Sequence, residues 1–344
     1  MNSNFAIHLE QKTVISINGS DVVPFLQSII SNDIQLVDEK TSIYSCLLTP
    51  QGKFLYDFII TKKSSDHYLL QCNKLIVDDF IAKLTVYKLR SQIQISKVNQ
   101  EYVSLFFNMA NEIIASKFNT IQGFTIQNQY GFFFNDPRLA DLGVHGIILK
   151  DKFDDLVKEL NVNLLPLDTY FKICHQAGLV DLVPESALSN YFSLELNLKE
   201  LNGVSFKKGC FVGQENTARM NLKNKIRKRV FPIQIIQGSV EIGQSIKDKE
   251  KTIGKIISLD PACFGILDAE ESKHLLDQTI SLEQSSIKIL KHIERIKTLI
   301  HIIDNTDEDL ENTYKQVRNE LGSYSKDLLE KKEIIVLNKT DLLE

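Results

Sequence analysis

Apolar and polar positions alternate in short bursts along the first hundred residues, and turn-forming residues separate the bursts. Thr13 to Ile17 alternates as a half-buried strand does. Ser20 or Asp21 stands where it can cap a helix running through Phe25, Leu26, Ile29 and Ile30, with Pro24 in its first turn. Ile43 to Leu48 and Phe54 to Ile60 flank the turn Pro50-Gln51-Gly52 and read as a hairpin. Tyr68 to Gln71 is a further strand. Leu75 to Leu89, with apolar residues at 76, 77, 80, 81 and 84, is an amphipathic helix. Ile93 to Val98, Val103 to Phe107 and Gly131 to Phe134 read as strands, with a short helix expected over Asn111 to Phe118. Leu164 to Ala177 predicts a helix that Gly178 stops. Beyond Arg229, glycines divide short strands at Val230 to Ile236, Ser245-Ile246, Ile253 to Ser258 and Cys263 to Leu267, the pattern of a small barrel.

The pattern then changes. Lys297 to Ile303 is a continuous apolar run, and Glu333 to Leu337 is a second that ends in Asn338. Between them apolar residues at 310, 314, 317, 321, 324 and 328 make a helical stripe suited to core packing, with Gly322 expected to break it. Two buried-type strands joined by a helix form a βαβ unit. The chain therefore divides into an α+β domain over 1–225, a small β-barrel over 226–271 and a partial α/β segment over 272–344, the last boundary falling near residues 268–275.

Composition narrows the class. The 344 residues are 43% hydrophobic and 24% charged, enough to bury cores, and the net charge of −4 argues against a wholly basic nucleic-acid binder. Five cysteines lie far apart with no CxxC pair, so neither a zinc ribbon nor a disulfide framework is expected, and a reducing compartment fits. The start MNSNFAIHLEQK has no secretory pattern, and no apolar run approaches the roughly 18 residues of a membrane span. His67, His145, His175 and His301 lack metal-ligand spacing and read as surface or satisfied core residues, so no metal site is expected.

The segment richest in chemistry is KKGCFVGQENTAR, residues 207–219. Gly209 and Gly213 bracket Cys210, and Gln214 and Glu215 follow. Glycine lets backbone approach a ligand closely, and a neighbouring lysine favours a reactive thiolate where the loop is exposed. A tight turn around a half-buried cysteine is the equal alternative. From Lys207 to Arg229 there are eight Lys/Arg against Glu215 alone, a net +7 in an acidic protein. Such a run suits a polyanionic small molecule or RNA phosphates.

KGCFVGQENTAR followed by IRKRVFPI resembles the signature of the YgfZ-type folate-binding proteins, relatives of the glycine-cleavage T-protein (aminomethyltransferase) that act in iron–sulfur cluster assembly. FLQSIISNDI, LLTPQGKFLYDFII, NDPRLADLG and SLELNLKELNGVSF resemble further blocks in the same order, so the likeness covers roughly residues 5–268. IRKR makes the mitochondrial cluster-assembly branch the nearer likeness. The resemblance implies a T-protein-like α+β folate-binding domain with a small C-terminal β-barrel. It implies tetrahydrofolate or a related folate as cofactor, a transient iron–sulfur cluster, and partners among scaffold or carrier proteins and client [4Fe–4S] enzymes. Location is then cytoplasmic in a bacterium or the mitochondrial matrix in a eukaryote. By position it assigns Lys208, Gly209, Gly213, Gln214, Glu215 and Arg219 to folate, with Asn32, Asp33 and Gly52 lining the same side, and Cys210 and Asp57 to any chemistry. Phe211 stands where the family usually has tyrosine. One thiol cannot hold a cluster that takes four, so Cys210 is open to three roles: transient ligand, redox thiol or structural residue. The main expectation is a non-catalytic assembly factor. The alternatives are a folate-dependent aminomethyltransferase with Asp57 as base, and a tRNA-binding protein linked to tRNA modification. Aromatic residues in the basic run are too few to favour the latter.

Residues from about 280 to 344 resemble something else, the second half of an Obg-type GTPase domain. Asn338, Lys339 and Asp341 fall on its guanine-reading NKxD motif, just past a strand end. The phosphate-binding GxxxxGK[ST] is missing, since the nearest match, Gly238 to Ser245, has Gln244 for the lysine. GTP binding is therefore expected to be weak or absent, and hydrolysis is not expected.

Overall fold

The computed structural model of the chain describes residues 4–108, 121–139, 142–180, 190–223, 226–282, 284–291, 298–304, 309–324 and 332–338. Two compact units divide it, Met1–Ile293 and Glu294–Glu344.

Two sheets form most of the first unit. One has five antiparallel strands: β2 (Lys12–Asn18), β3 (Ile43–Leu48), β4 (Phe54–Ser64), β5 (His67–Asn73) and β6 (Gln94–Lys97), in the order β3-β4-β5-β2-β6. The other has six: β1 (Phe5–His8), β7 (Tyr102–Phe107), β8 (Thr125–Asn128), β9 (Gly131–Asn135), β10 (Val144–Leu149) and β11 (Asn163–Leu165), in the order β11-β1-β7-β10-β9-β8. Alternation along each strand sorts side chains into separate cores. In β2, Ile15 and Ile17 pack with Phe25 and Leu26 of α1 (Val22–Ile29) and Phe80 and Leu84 of α2 (Val77–Lys88). Val14 on the opposite face joins Tyr44, Cys46, Phe106, Phe134 and Tyr170 in the largest core. In β7, Phe106 enters that shared core while Phe107 packs with Leu156 and Leu160 of α3 (Phe153–Leu160). Each sheet is thus buried on both faces, one core between sheets and one under helices. This explains the nearly continuous apolar strands.

α4 (Leu167–Gln176) and α5 (Gln214–Leu222) follow. A third six-stranded sheet closes the unit: β12 (Lys228–Gln237), β13 (Ser245–Asp248), β14 (Lys251–Ser258), β15 (Phe264–Asp268), β16 (Thr279–Ser281) and β17 (Ser286–Ile289), ordered β13-β14-β15-β12-β17-β16. The first half of β12 pairs with β15 and its second half with β17, so one long strand carries the sheet around a barrel-like core of Phe231, Ile246, Ile256, Leu267 and Ile287. Because β16 and β17 pair within this sheet, the barrel does not end at residue 271 as its strand grammar suggested, and it runs to Ile289.

Other expectations shift for local reasons. Asp21 is the N-cap of α1 but makes no capping bond, because its carboxylate accepts from the Gln92 amide at 2.7 Å. Leu164 and Leu165 belong to β11, parallel to β1, and the helix begins only at Leu167. Gly178, at φ +69°, follows its end. The helix expected over 111–118 lies outside the described residues.

In the second unit, β18 (Thr298–Asp304) and β19 (Lys332–Asn338) pair in parallel from Thr298↔Lys332 to Asp304↔Asn338, joined through α6 (Leu310–Tyr324). Gly322 lies inside α6 and does not end it.

Candidate functional site

The segment 207–219 turns into the N-terminus of α5, and two glycines make the turn possible. Gly213 has φ +84° and a Cβ there would stand 2.5 Å from the Thr49 carbonyl oxygen. Gly52, in the β3–β4 turn, has φ +80°, and its Cβ would meet the Gly213 oxygen at 3.1 Å. The hairpin turn and the helix start therefore touch backbone to backbone. Asn216 Nδ2 donates to the Gln51 carbonyl (3.0 Å) and fastens the same contact.

Lys208 is not offered to a ligand. It is 7% exposed, and its Nζ donates to the carbonyls of Gln27 (2.8 Å), Ile30 (2.7 Å) and Asn32 (2.8 Å). These carbonyls lie at the end of α1 or just beyond it, where a cation also opposes the helix dipole. Burial pushes the ammonium down to about 8, against the pull of Asp33. The assignment of Lys208 to folate is corrected on this geometry, since all three of its protons are spent on carbonyls. Arg229 is likewise engaged, with Glu200 at 2.9 Å. Among the described residues the basic run thus contributes Lys207, Arg219, Lys223, Arg227 and Lys228 as exposed cations; Lys225 lies outside them.

Cys210 is the one exposed cysteine of the five. Nothing lies within 4 Å of a Cβ placed on Gly209, so the loop beside the thiol is open. The half-buried-turn alternative does not hold here. Burial raises three of the other thiols: Cys72 and Cys263 to about 12, Cys46 further still. Glu215 and Arg219 are exposed on α5, Arg219 pairing with Asn216, and Gln214 is half-buried.

A chain of hydrogen bonds leads inward from the loop. Lys208 holds the Asn32 carbonyl, Asn32 Nδ2 donates to the Tyr44 carbonyl (2.8 Å), and the Tyr44 hydroxyl donates to Asp57 Oδ2 (3.1 Å). Asn32 Nδ2 also donates to the Asn202 carbonyl (2.7 Å). Asp33 caps the short turn after α1 through the Gln35 amide. Burial, and then the Asp57 charge, raise Tyr44 well above the ordinary phenol range, so it remains the donor of this pair.

Asp57 and Tyr44 line two small recesses of ≈ 10 Å³ each. The first is apolar, with Phe54, Val180, Leu196, Leu198 and Leu201. The second is polar, with Lys12, Gln71, Arg138 and His145 among its walls. Neither is lined by any residue of 207–219. Each has room for about one water, far short of the roughly 300–1,000 Å³ of a small-molecule site, and Tyr44 and Asp57 are walls common to both.

Behind the polar recess lies a cluster that sequence reasoning did not assign. Asp136, fully buried, accepts from Arg138 Nη2 (2.7 Å), Arg138 Nε (3.0 Å) and the Arg138 amide (2.8 Å), and it meets His145 Nε2 at 2.9 Å. Arg138 Nη2 also donates to the Tyr170 hydroxyl (3.1 Å), and its guanidinium lies 5.7 Å from the Tyr44 ring centre. Burial would raise the Asp136 carboxyl, but Arg138 and His145 outweigh it and hold it far below the usual carboxylate range. Burial lowers His145, so the imidazole is neutral. The reading of His145 as a satisfied core residue is corrected in one respect: its Nδ1 is buried and has no hydrogen-bond partner among the described residues. His67 bonds Ser16 and His175 the Cys263 carbonyl. NDPR carried the missed signal, a carboxylate and a guanidinium two residues apart at a strand end; its burial was not visible. In the second unit Asn338 ends β19, while Lys339 and Asp341 lie outside the described residues.

Comparison with known proteins agrees with this architecture. Residues 7–108 match the family described as GCVT N-terminal domain. The chain is 28% identical over 246 residues to the mitochondrial iron-sulfur cluster assembly factor IBA57 of Mus musculus, covering 66% of this chain and 65% of that protein. It is 27% identical to the Mycosarcoma maydis homolog, covering 68% of this chain and 58% of that one. A stretch of 58 residues, 17% of this chain and 18% of the relative, is 90% identical to the GTPase Obg of Pelagibacter ubique. The chain thus spans less than two thirds of the length of each of these relatives. Among solved structures, the glycine cleavage system aminomethyltransferase T of Bartonella henselae superimposes with a TM-score of 0.67 at 16% identity, covering 84% of this chain and 85% of that one. The fold is T-protein-like, mixed α+β with a barrel-like C-terminal sheet. The chain combines similarity to cluster-assembly factors with an Obg-like segment.

Proposed function

We propose that this protein is a folate-dependent factor assisting the assembly or insertion of iron–sulfur clusters into client [4Fe–4S] enzymes. The observation that carries the reading is the hydrogen-bonded path from the Cys210 loop through Lys208, Asn32 and Tyr44 to Asp57 at the recess wall. Asp57 offers a carboxylate beside apolar leucines, the chemistry a pterin edge would use, but each recess has room for only about one water, so a folate would bind there only if the walls part. When bound, a reduced folate would supply one-carbon or redox chemistry. Asp57 would be the polar group facing it, with Leu196, Leu198 and Leu201 as the apolar wall.

Cys210 supports the cluster half of the reading. It is the exposed thiol, and among the described residues no three His, Cys, Asp or Glu side chains converge to hold a metal. One thiolate from this chain would complete its coordination with a scaffold or carrier partner. Cells carrying Cys210→Ala should mature a [4Fe–4S] enzyme poorly while the purified variant stays folded; normal maturation would remove Cys210 from the mechanism. The transferase alternative has an observation in its favour, Asp57 held by Tyr44 at the recess. Assay of the full chain for methylene-tetrahydrofolate formation, with Asp57→Asn as control, separates the two.

A further inference from the structure

Exposure along 207–211 has a clear pattern. Lys207 is exposed, Lys208 is buried, Gly209 and Cys210 are exposed, and Phe211 is buried again. The two buried side chains are anchored separately. Lys208 Nζ is held by the carbonyls of Gln27, Ile30 and Asn32, and Phe211, 8% exposed, joins the largest core with Tyr44, Cys46, Leu48 and Leu198. They also meet each other: Lys208 Nζ lies 5.1 Å from the centre of the Phe211 ring. A cation over an aromatic face gains most where water is excluded, as it is here. Between these anchors, Gly209 and Cys210 make no hydrogen bond with any described residue, and a Cβ on Gly209 would touch nothing within 4 Å. The two exposed residues have no hold of their own, so their flanks decide where the thiol stands.

We infer that Lys208 and Phe211 are positioning residues for Cys210: their contact closes the base of the 208–211 hoop and holds the thiol outward. The inference rests on the reading of Cys210 as a cluster ligand shared with a partner, and it names what presents that ligand. A loop ordered before its partner arrives has little backbone freedom left to lose on binding, so the clamp favours the shared complex. Neither residue has to touch the cluster. A leucine at 211 would still be apolar, but it would offer the ammonium no aromatic face.

The test uses the full chain with a nitroxide attached to Cys210 through a methanethiosulfonate; the four buried cysteines stay unlabelled. Its electron paramagnetic resonance spectrum reads the ratio of released to held loop. Phe211→Leu should raise that ratio about fivefold, the weight of a single cation–π contact. Lys208→Met should raise it at least as much, and adding Phe211→Leu to Lys208→Met should change nothing further, because the contact is already gone. Phe211→Tyr keeps the aromatic face and should match wild type. In cells, maturation of a [4Fe–4S] enzyme should fall with Phe211→Leu and be retained with Phe211→Tyr. A Phe211 that only fills the core would not loosen the label while near-ultraviolet circular dichroism stays unchanged, and its effect would not depend on Lys208. If Phe211→Leu leaves the spectrum as in wild type, loosens the loop equally in the Lys208→Met background, or loosens it without lowering maturation, the inference is overturned. If Cys210→Ala matures the enzyme normally, the reading of Cys210 itself falls and takes the inference with it. Should Lys208→Met fail to fold, the comparison of Phe211→Leu with Phe211→Tyr decides alone.

Discussion

The Cys210 loop and the Asp57 recess face opposite physical conditions within one unit. At the loop the thiol is exposed, the glycine beside it touches nothing, and the cations stand in water. At the recess an aspartate, an arginine and a histidine are withdrawn from water and held by one another. The loop keeps its thiol accessible; the recess keeps fixed geometry at the cost of desolvating charges. Lys208 and Asn32 tie the two together, so a residue that looked like part of the ligand surface is the brace between them.

Breaking the buried side should give the largest effects. Asp136→Ala leaves Arg138 charged without its partner, and losing one half of a buried pair costs about 3–5 kcal/mol; urea unfolding measures this. The pH dependence has a defined sign. His145 is lowered in the fold, so stability should begin to fall as pH drops through about 6.5, its unfolded value. Asp136 is also lowered, so its contribution is full above about 3.9 and is lost as pH falls below that value. Stability flat between pH 7 and 3 would contradict the buried triad.

The brace should come next. Lys208→Met leaves three carbonyls without their donor and should lose about 2 kcal/mol in the same experiment. Glycine substitutions sharpen the contrast within one segment. Gly213→Ala should cost about 1–3 kcal/mol, for its positive φ and the 2.5 Å contact with Thr49. Gly209→Ala, in open space, should stay within about 0.5 kcal/mol.

The smallest stability effect belongs to the thiol. Cys210→Ala should leave unfolding within about 0.5 kcal/mol of wild type. Iodoacetamide on the native chain should modify one cysteine, Cys210, while Cys46, Cys72, Cys174 and Cys263 remain protected. Labelling of a second site under native conditions would show that the core thiols are reached.

Much of this was legible beforehand. The 50–52 turn, the β12–β15 strands and the parallel pairing of the second unit follow from period and punctuation, because those depend on near neighbours in sequence. Gly213 and Gly52 were marked as special, but that they touch each other could not be known, since 161 positions separate them. The Asp136–Arg138–His145 cluster was missed for a related reason: NDPR reads as a turn, and its burial depends on β10 and α4, which come later in the chain. The end of the barrel was misplaced because β16 and β17 are only three and four residues long and pair with partners that sequence does not name.

The proposed folate site lies beside Asp57 and does not use the exposed thiol. Titration of tetrahydrofolate into the full chain, its Asp57→Asn variant and its Cys210→Ala variant tests it most directly. The account predicts saturable binding by the wild type, weakened about tenfold or more in Asp57→Asn and unaltered in Cys210→Ala. An absence of saturable binding, or equal affinity in Asp57→Asn, would contradict it.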